Sequence, residues 1–445
     1  MDLSVFHTYD IRGIFNKELT PELFEKIGKA FGTITDSEQV VVGYDTRASS
    51  PEAFESFVKG VLSTGTDVMS VGMNCNPVTY FFGFKNKLPG ALITASHNPP
   101  EYNGVKFFRK NGTSFIDELN KMKKIILEES YDEKPVGDLI EVDYAIQDYI
   151  EFIGGKLEIK PGLKMVADCF NASSATVTPF IFKNFEIDCL PINNEIKGDF
   201  GGLRPEPKGE NLNTLKEKVV EEGADFGVAF DGDTDRAVFV DNKGRELKGA
   251  MAGAIFLKHA LEKNKGVVVP TIDCPTITSK LVKENGGKTS WCRIGHGFIE
   301  ENLVNKNGVF GFEQSCHFYF NDFYPFSDGL LSALKMAEIL SKSNKSLSEM
   351  VDEIKMNPTE KLYIYAGNHT KKEKVMDAIR KDYPDGKDYV DGIKIFLNDE
   401  EWVLLRASQT NPEINLCVEA KNEERLKELI KDYTEKINKK IKEVE

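Results

Sequence analysis

The segment Asp231-Gly232-Asp233-Thr234-Asp235-Arg236 places three carboxylates at alternate positions after the apolar run Phe226 to Phe230. Three like charges on one loop repel one another unless a cation lies between them. An all-oxygen donor set selects Mg²⁺, Mn²⁺ or Ca²⁺ over zinc. An EF-hand begins in the same way but needs Gly at its sixth position and Glu at its twelfth. Arg236 and Asn242 stand there instead, so that reading fails. A solvated acidic turn is the bland alternative.

A second loop, Thr94 to Lys106 (TASHNPPEYNGVK), gathers Ser96, His97, two asparagines and Lys106 around two adjacent prolines. Its chemical reading is a nucleophilic Ser96; its plain reading is a structural turn. The flanking residues lack the GxSxG elbow, which disfavours an α/β-hydrolase. Further on, RIGHGFIEENL (Arg293 to Leu303) puts His296 between glycines at a helix start. GFEQSCHFYF (Gly311 to Phe320) puts Glu313, Ser315 and His317 on a loop after a strand. Such donors and acceptors suit a hydroxyl-rich ligand in a dry pocket, although a satisfied structural His explains either histidine equally well. The turn RASQTNPE (Arg406 to Glu413) offers a guanidinium, hydroxyls and successive backbone N–H groups. That combination suits phosphate; a plain hairpin turn is the competing reading.

Elements of an α/β protein position these loops. Short apolar runs alternate with longer helical patterns, the signature of largely parallel strands. Thr20-Pro21 and Ser50-Pro51 each read as an N-cap followed by a first-turn proline. Three runs, VVVGYD (Val40 to Asp45), KMVAD (Lys164 to Asp168) and VVVPTID (Val267 to Asp273), each read as a buried strand ending at an Asp. In each segment a second run follows, before Ser96, Asp231 and Glu313 respectively. Three α/β units, each pushing a loop off a strand end, would place ligands outside the carboxyl ends of the strands. After Asn357-Pro358 the texture changes to two strands bracketing the Gln409 to Pro412 turn. An amphipathic helix follows, with Leu426, Leu429, Ile430, Tyr433, Ile437 and Ile441 on its apolar face.

The composition is that of a multidomain globular chain: 445 residues, 40% apolar and 29% charged. A net charge of −14 excludes a broad nucleic-acid surface but leaves room for a local basic cluster on a small anion. No run is long enough to span a membrane. The N-terminus reads as folded protein rather than a signal peptide. Seven scattered Cys without CxxC spacing point to reduced thiols and a cytoplasmic location.

Taken together, TASHNPP, DGDTDR, the sugar-type loop around Glu313 and the RASQTNP turn resemble the four signature regions of the α-D-phosphohexomutase superfamily. YDIRG (Tyr9 to Gly13) and VGYDTR (Val42 to Arg47) match further family features. Within that superfamily the chain looks most like phosphomannomutase/phosphoglucomutase enzymes, and the likeness runs over essentially its whole length. The resemblance implies an α/β fold of four domains around a central cleft: three similar α/β units plus a smaller α+β C-terminal domain. The expected boundaries are 1–145 (phosphoserine loop), 146–248 (metal loop), 249–357 (sugar-binding loop) and 358–445 (phosphate binding).

By the same resemblance, Ser96 is the phosphorylated residue and, with Asp231, Asp233 and Asp235, binds one Mg²⁺ per chain. Arg12 and Lys106 contact the transferring phosphoryl group, with Lys106 a proton shuttle. Arg236 and His296 line the reacting end of the sugar. Glu313 and Ser315 bind ring hydroxyls with His317 nearby, and Arg406, Ser408, Gln409 and Thr410 hold the non-reacting phosphate. The implied reaction interconverts hexose 1- and 6-phosphates of mannose or glucose through a bound hexose 1,6-bisphosphate, as an isomerase of carbohydrate metabolism. The implied partners are hexose phosphates, with neither nucleic acid nor membrane.

Four positions depart from the family pattern. Phe312, Cys316 and Thr234 stand where Gly is usual, and Asp273 stands where some relatives carry a substrate-binding Lys. Gln314 resembles phosphoglucosamine mutases, which makes glucosamine phosphate the alternative substrate. A non-catalytic phosphosugar-binding protein is a further alternative, and it would need neither Ser96 nor the three Asp.

Overall fold

Thr20 accepts a hydrogen bond from the Leu23 N–H, and Pro21 opens the helix Pro21–Ile34. The second such pair behaves differently. Ser49 is the N-cap of Ser50–Leu62, because the Ser50 hydroxyl is turned inward onto Asp45. In the computed structural model, residues 3–388, 392–408 and 411–444 are described. They divide into two units: residues up to Ala252 with Ser315–Val351, and Gly253–Gln314 with Asp352–Glu445.

The first unit contains two sheets. In the larger, the order is Asp10–Ile14, Tyr102–Phe108, Gly90–Ile93, Gln39–Tyr44, Asp67–Met73 and Leu139–Glu141. The last four strands run parallel, while Asp10–Ile14 and Tyr102–Phe108 are antiparallel additions at one edge. Val40, Val42, Ala91 and Ile93 pack with Phe24, Phe31, Phe57 and Phe107 in a continuous core. Each Val, Ile and Phe among them contributes roughly 1.5–3 kcal/mol on burial. The second sheet has the order Ala237–Asp241, Phe226–Phe230, Lys164–Asp168 and Asp188–Ile192. Its central strand pairs are parallel, and the Phe226–Phe230/Ala237–Asp241 pair is an antiparallel hairpin.

In the second unit, Lys288–Thr289, Val267–Pro270 and Phe310–Phe312 run parallel. The expected strand ending at Asp273 stops at Pro270. Thr271 pairs onward with Cys292, and its hydroxyl turns onto Asp273 (2.6 Å), so Asp273 lies in the loop beyond. The C-terminal sheet is antiparallel, in the order Thr359–Tyr365, Glu413–Glu419, Trp402–Ala407, Gly392–Phe396 and Lys387–Asp388. Val403, Leu405, Ile414, Leu416 and Val418 face the helices His369–Asp382 and Glu423–Glu443. Leu426, Leu429, Tyr433 and Ile437 form the buried stripe of the last helix. No helix among the described residues is long and apolar enough to cross a membrane.

Candidate active site

Two hairpins of the first unit meet at the serine. One carries Ser96 between Gly90–Ile93 and Tyr102–Phe108; the other carries Asp231 to Arg236 between Phe226–Phe230 and Ala237–Asp241. The Ser96 hydroxyl donates to Asp231 Oδ2 at 2.9 Å, and His97 Nδ1 lies 3.2 Å from the Ser96 hydroxyl oxygen. Residue 232 must be Gly for this meeting. A β-carbon there would sit 2.3 Å from the Ser96 carbonyl oxygen, well inside van der Waals contact. Ser96 itself has a left-handed backbone, φ 51°, which any residue but Gly adopts at a cost.

Asp231, Asp233 and Asp235 are all buried, and each offers a carboxylate oxygen within 4.8 Å of the others. Burial, with Asp235 and Asp233 alongside, pushes Asp231 up to about 7. Burial would raise Asp235 too, but Lys106 and His317 hold it well below the usual carboxylate range. Asp233 Oδ1 is buried without a hydrogen-bond partner among the described residues. A buried carboxylate oxygen in that state is costly. Three carboxylates beside a hydroxyl, one oxygen unsatisfied, fit a hard divalent cation.

Cationic side chains surround this group. In the antiparallel pairing Lys106 stands opposite Asp10, and Arg12 follows two residues on, so all three side chains share one face of the sheet. Lys106 Nζ lies 2.6 Å from Asp233 Oδ2 and 2.7 Å from Asp235 Oδ2. Burial opposes its charge, but the two aspartates outweigh burial and raise its pKa. Arg12 donates to Asp10 (2.8 Å) and to Asn98 Oδ1 (3.1 Å). Arg236 Nε lies 3.3 Å from His317 Nε2 and 3.7 Å from Asp231 Oδ2. His317 Nε2 is 3.2 Å from Asp235 Oδ1, and its Nδ1 is 3.0 Å from the Ser315 hydroxyl. Arg236 foremost, then burial, depresses the basicity of His97. Ser96, the three Asp, Lys106, Arg12, Arg236, Ser315 and His317 are therefore gathered in one unit.

The remaining expected residues belong to the second unit. His296 opens the helix His296–Lys306, with Nδ1 3.4 Å from Glu300. Glu313 accepts from the Gly295 N–H at 2.9 Å, which ties the two loops together. Gln314 Nε2 approaches the Asp273 carbonyl at 3.4 Å. Burial raises the Asp273 pKa, and Glu313 adds to the rise. Arg406 lies on Trp402–Ala407 opposite Asn415. The Ser408 N–H donates to the Glu413 carbonyl, closing the turn. Gln409 and Thr410 lie outside the described residues.

Sequence reasoning assigned no role to His97, Arg47 or Lys394. The adjacency of His97 to Ser96 was a usable signal. Lys394 is fully buried, donates to the Ile272 and Cys274 carbonyls (2.7 and 3.2 Å), and lies against Trp291 and Trp402. Its strand, Gly392–Phe396, gives no hint of those distant partners.

Family models described as phosphoglucomutase/phosphomannomutase alpha/beta/alpha domains I, II and III match residues 3–133, 147–244 and 248–356. A phosphoglucomutase/phosphomannomutase of Thermococcus kodakarensis is 36% identical, with 96% of each chain covered. The chain belongs to the α-D-phosphohexomutase superfamily. A phosphoglucosamine mutase of Methanocaldococcus jannaschii is 35% identical over 94% of this chain and 95% of its own. The solved structure of a phosphoglucomutase/phosphomannomutase family protein from Burkholderia thailandensis superposes with a TM-score of 0.91. It is 28% identical and is covered over 98% of its length by 99% of this chain. The superfamily fold, three α/β/α domains plus a further C-terminal domain, is thus the fold of this chain, and its activity is that of a mutase.

Proposed function

We propose that this mutase interconverts hexose 1-phosphate and hexose 6-phosphate by way of phosphorylated Ser96 and a bound hexose 1,6-bisphosphate. The observation that carries the reading is the Ser96 hydroxyl held 2.9 Å from Asp231 within a buried carboxylate triad ringed by Lys106, Arg12 and Arg236. In the first half-reaction the bond between phosphorus and Ser96 Oγ breaks as phosphorus bonds the free sugar hydroxyl, whose proton ends on the departing Ser96 Oγ. In the second, the other phosphate returns to Ser96. Such transfer needs positioning and charge neutralisation more than covalent help.

Asp231, Asp233 and Asp235 would hold Mg²⁺, which when bound offsets charge on the phosphoryl oxygens. Lys106 holds its proton between two aspartates, so it serves as a cation beside the moving group and as a charged hydrogen-bond donor to a leaving oxygen. Arg12 and Arg236 add charge-assisted donors. In the second unit, Glu313 and His296 supply groups for ring hydroxyls, and Arg406 and Ser408 suit the non-reacting phosphate. Gln409 and Thr410 join them by family likeness.

Mannose and glucose phosphates are the first substrates. Glu313 and Ser315 are assigned to hydroxyls 3 and 4, which the two sugars share, and a site that ignores carbon 2 discriminates weakly there. A second reading, glucosamine phosphate, draws on Gln314 in the sugar loop and on the phosphoglucosamine mutases among the relatives. Parallel steady-state assays with mannose, glucose and glucosamine 1-phosphates test the two. Mannose and glucose should differ by less than about two orders of magnitude in kcat/KM. A strong preference for glucosamine 1-phosphate would transfer the proposal to the second reading, and inertness toward all three would overturn both.

A further inference from the structure

Arg47 touches no member of the carboxylate triad, yet it is one of the most deeply buried charges in the first unit, 1% exposed. Its guanidinium donates to four main-chain carbonyls of the serine loop. Nη2 reaches Ser96 (2.6 Å) and Asn98 (2.8 Å); Nη1 reaches Pro99 (2.6 Å) and Tyr102 (3.0 Å). Nε pairs with Asp45 Oδ2 at 3.0 Å, and the Phe200 ring lies 5.1 Å away. Only a planar fork of five N–H donors can satisfy so many acceptors from one position.

The same assembly grips Ser96 from its other side. The Ser96 N–H donates to the Thr94 hydroxyl at 2.9 Å, and that hydroxyl donates to Asp45 Oδ2 at 2.7 Å. The bonds close a ring: Ser96 N–H to Thr94, Thr94 to Asp45, Asp45 to Arg47, Arg47 to the Ser96 carbonyl. Both peptide groups flanking Ser96 are therefore fixed, and with them its left-handed backbone and the direction of its Cα–Cβ bond, from which the hydroxyl reaches Asp231. The carbonyl that Arg47 holds is also the atom against which Gly232 of the carboxylate loop packs.

We propose that Arg47, acting through Asp45 and Thr94, is the positioning residue that presets Ser96 for phosphoryl transfer. The inference rests on Ser96 being the phosphate carrier. A displacement of about 1 Å at a reacting group costs on the order of 100-fold in rate. Arg47→Ala should therefore slow labelling of Ser96 from radiolabelled glucose 1,6-bisphosphate by about 100-fold. Added guanidinium ion should restore part of that rate, which a general loss of stability would not allow. Arg47→Lys, with one ammonium for four carbonyls, should lose about tenfold, as should Thr94→Val, which removes only the hydroxyl; both are partial disruptions of the same positioning.

Labelling of folded Arg47→Ala within about threefold of wild type would overturn the inference, this being far below the cost of misplacement. Should Arg47→Ala fail to fold, wild-type labelling of both Arg47→Lys and Thr94→Val would overturn it instead. Failure of the wild type to become labelled on Ser96 would overturn the carrier reading along with it.

Discussion

Thr234 sits in the middle of the carboxylate loop with φ 74°, a left-handed conformation in a β-branched residue, where family members usually carry Gly. Its hydroxyl is buried without a hydrogen-bond partner among the described residues. Thr234→Gly removes roughly 1–2 kcal/mol of backbone strain and an unsatisfied hydroxyl costing about 1–3 kcal/mol. Against this, Gly loses about 0.5–1 kcal/mol through the freedom of the unfolded chain, and the lost β-carbon and methyl together take away about 1.6 kcal/mol of burial. The balance favours the variant by about 1 kcal/mol, or about 2 °C in Tm for a unit of this size. Calorimetry of wild type and Thr234→Gly in EDTA keeps cation binding out of the comparison. Thr234→Asn, which tolerates the left-handed region, should share the part of the gain that comes from strain, whereas Thr234→Val keeps the strain and should gain only from the lost unsatisfied hydroxyl. A lower Tm for Thr234→Gly would refute the reasoning, because it would mean that the threonine's contacts outweigh its strain.

Lys394 yields a pH-dependent test. Burial depresses its pKa from the usual 10.5 to about 8, so the neutral amine is the form the fold prefers. Its stabilising contribution is present above pH 10.5 and is lost as pH falls through 8. The unfolding free energy of wild type relative to Lys394→Met should therefore drop by about 2–3 kcal/mol from pH 10 to pH 7.5; a difference that stays flat in denaturant titrations contradicts this. For the carboxylate triad, EDTA should abolish turnover, and added Mg²⁺ should restore it. Asp233→Asn should raise the Mg²⁺ needed for half-maximal activity at least tenfold, because one anionic donor is lost. Activity indifferent to both would remove the cation from the scheme.

The loops were legible in the sequence because they interrupt apolar runs with residues a plain turn has no use for. Ser96 and Asp231, 135 positions apart, meet because each follows a strand of an α/β unit and strand ends carry the loops. Thr234 and Cys316 stood out as replacements of Gly, and both prove left-handed, at φ 74° and 67°. Phe312, the third such replacement, lies in an ordinary strand. Convergence of distant carbonyls was not legible. Arg47 reads as one more residue of a strand-end motif, and its four acceptors are peptide groups, which carry no side-chain signature. Ser50 misled for a related reason: a Ser before Pro usually caps a helix, but buried Asp45 competes for this hydroxyl and takes it.

Mapping the phosphate on the purified enzyme decides most about the mechanism. Wild type incubated with glucose 1,6-bisphosphate should carry one phosphate, located on Ser96 by peptide sequencing in the mass spectrometer. Chasing with unlabelled hexose 1-phosphate should move that phosphate to sugar at a rate no slower than turnover. Ser96→Ala should take up none and should lose nearly all activity while still binding hexose phosphate. A Ser96→Ala protein that turns over at the wild-type rate, or a phosphate that maps to another residue, would contradict the phosphoserine mechanism.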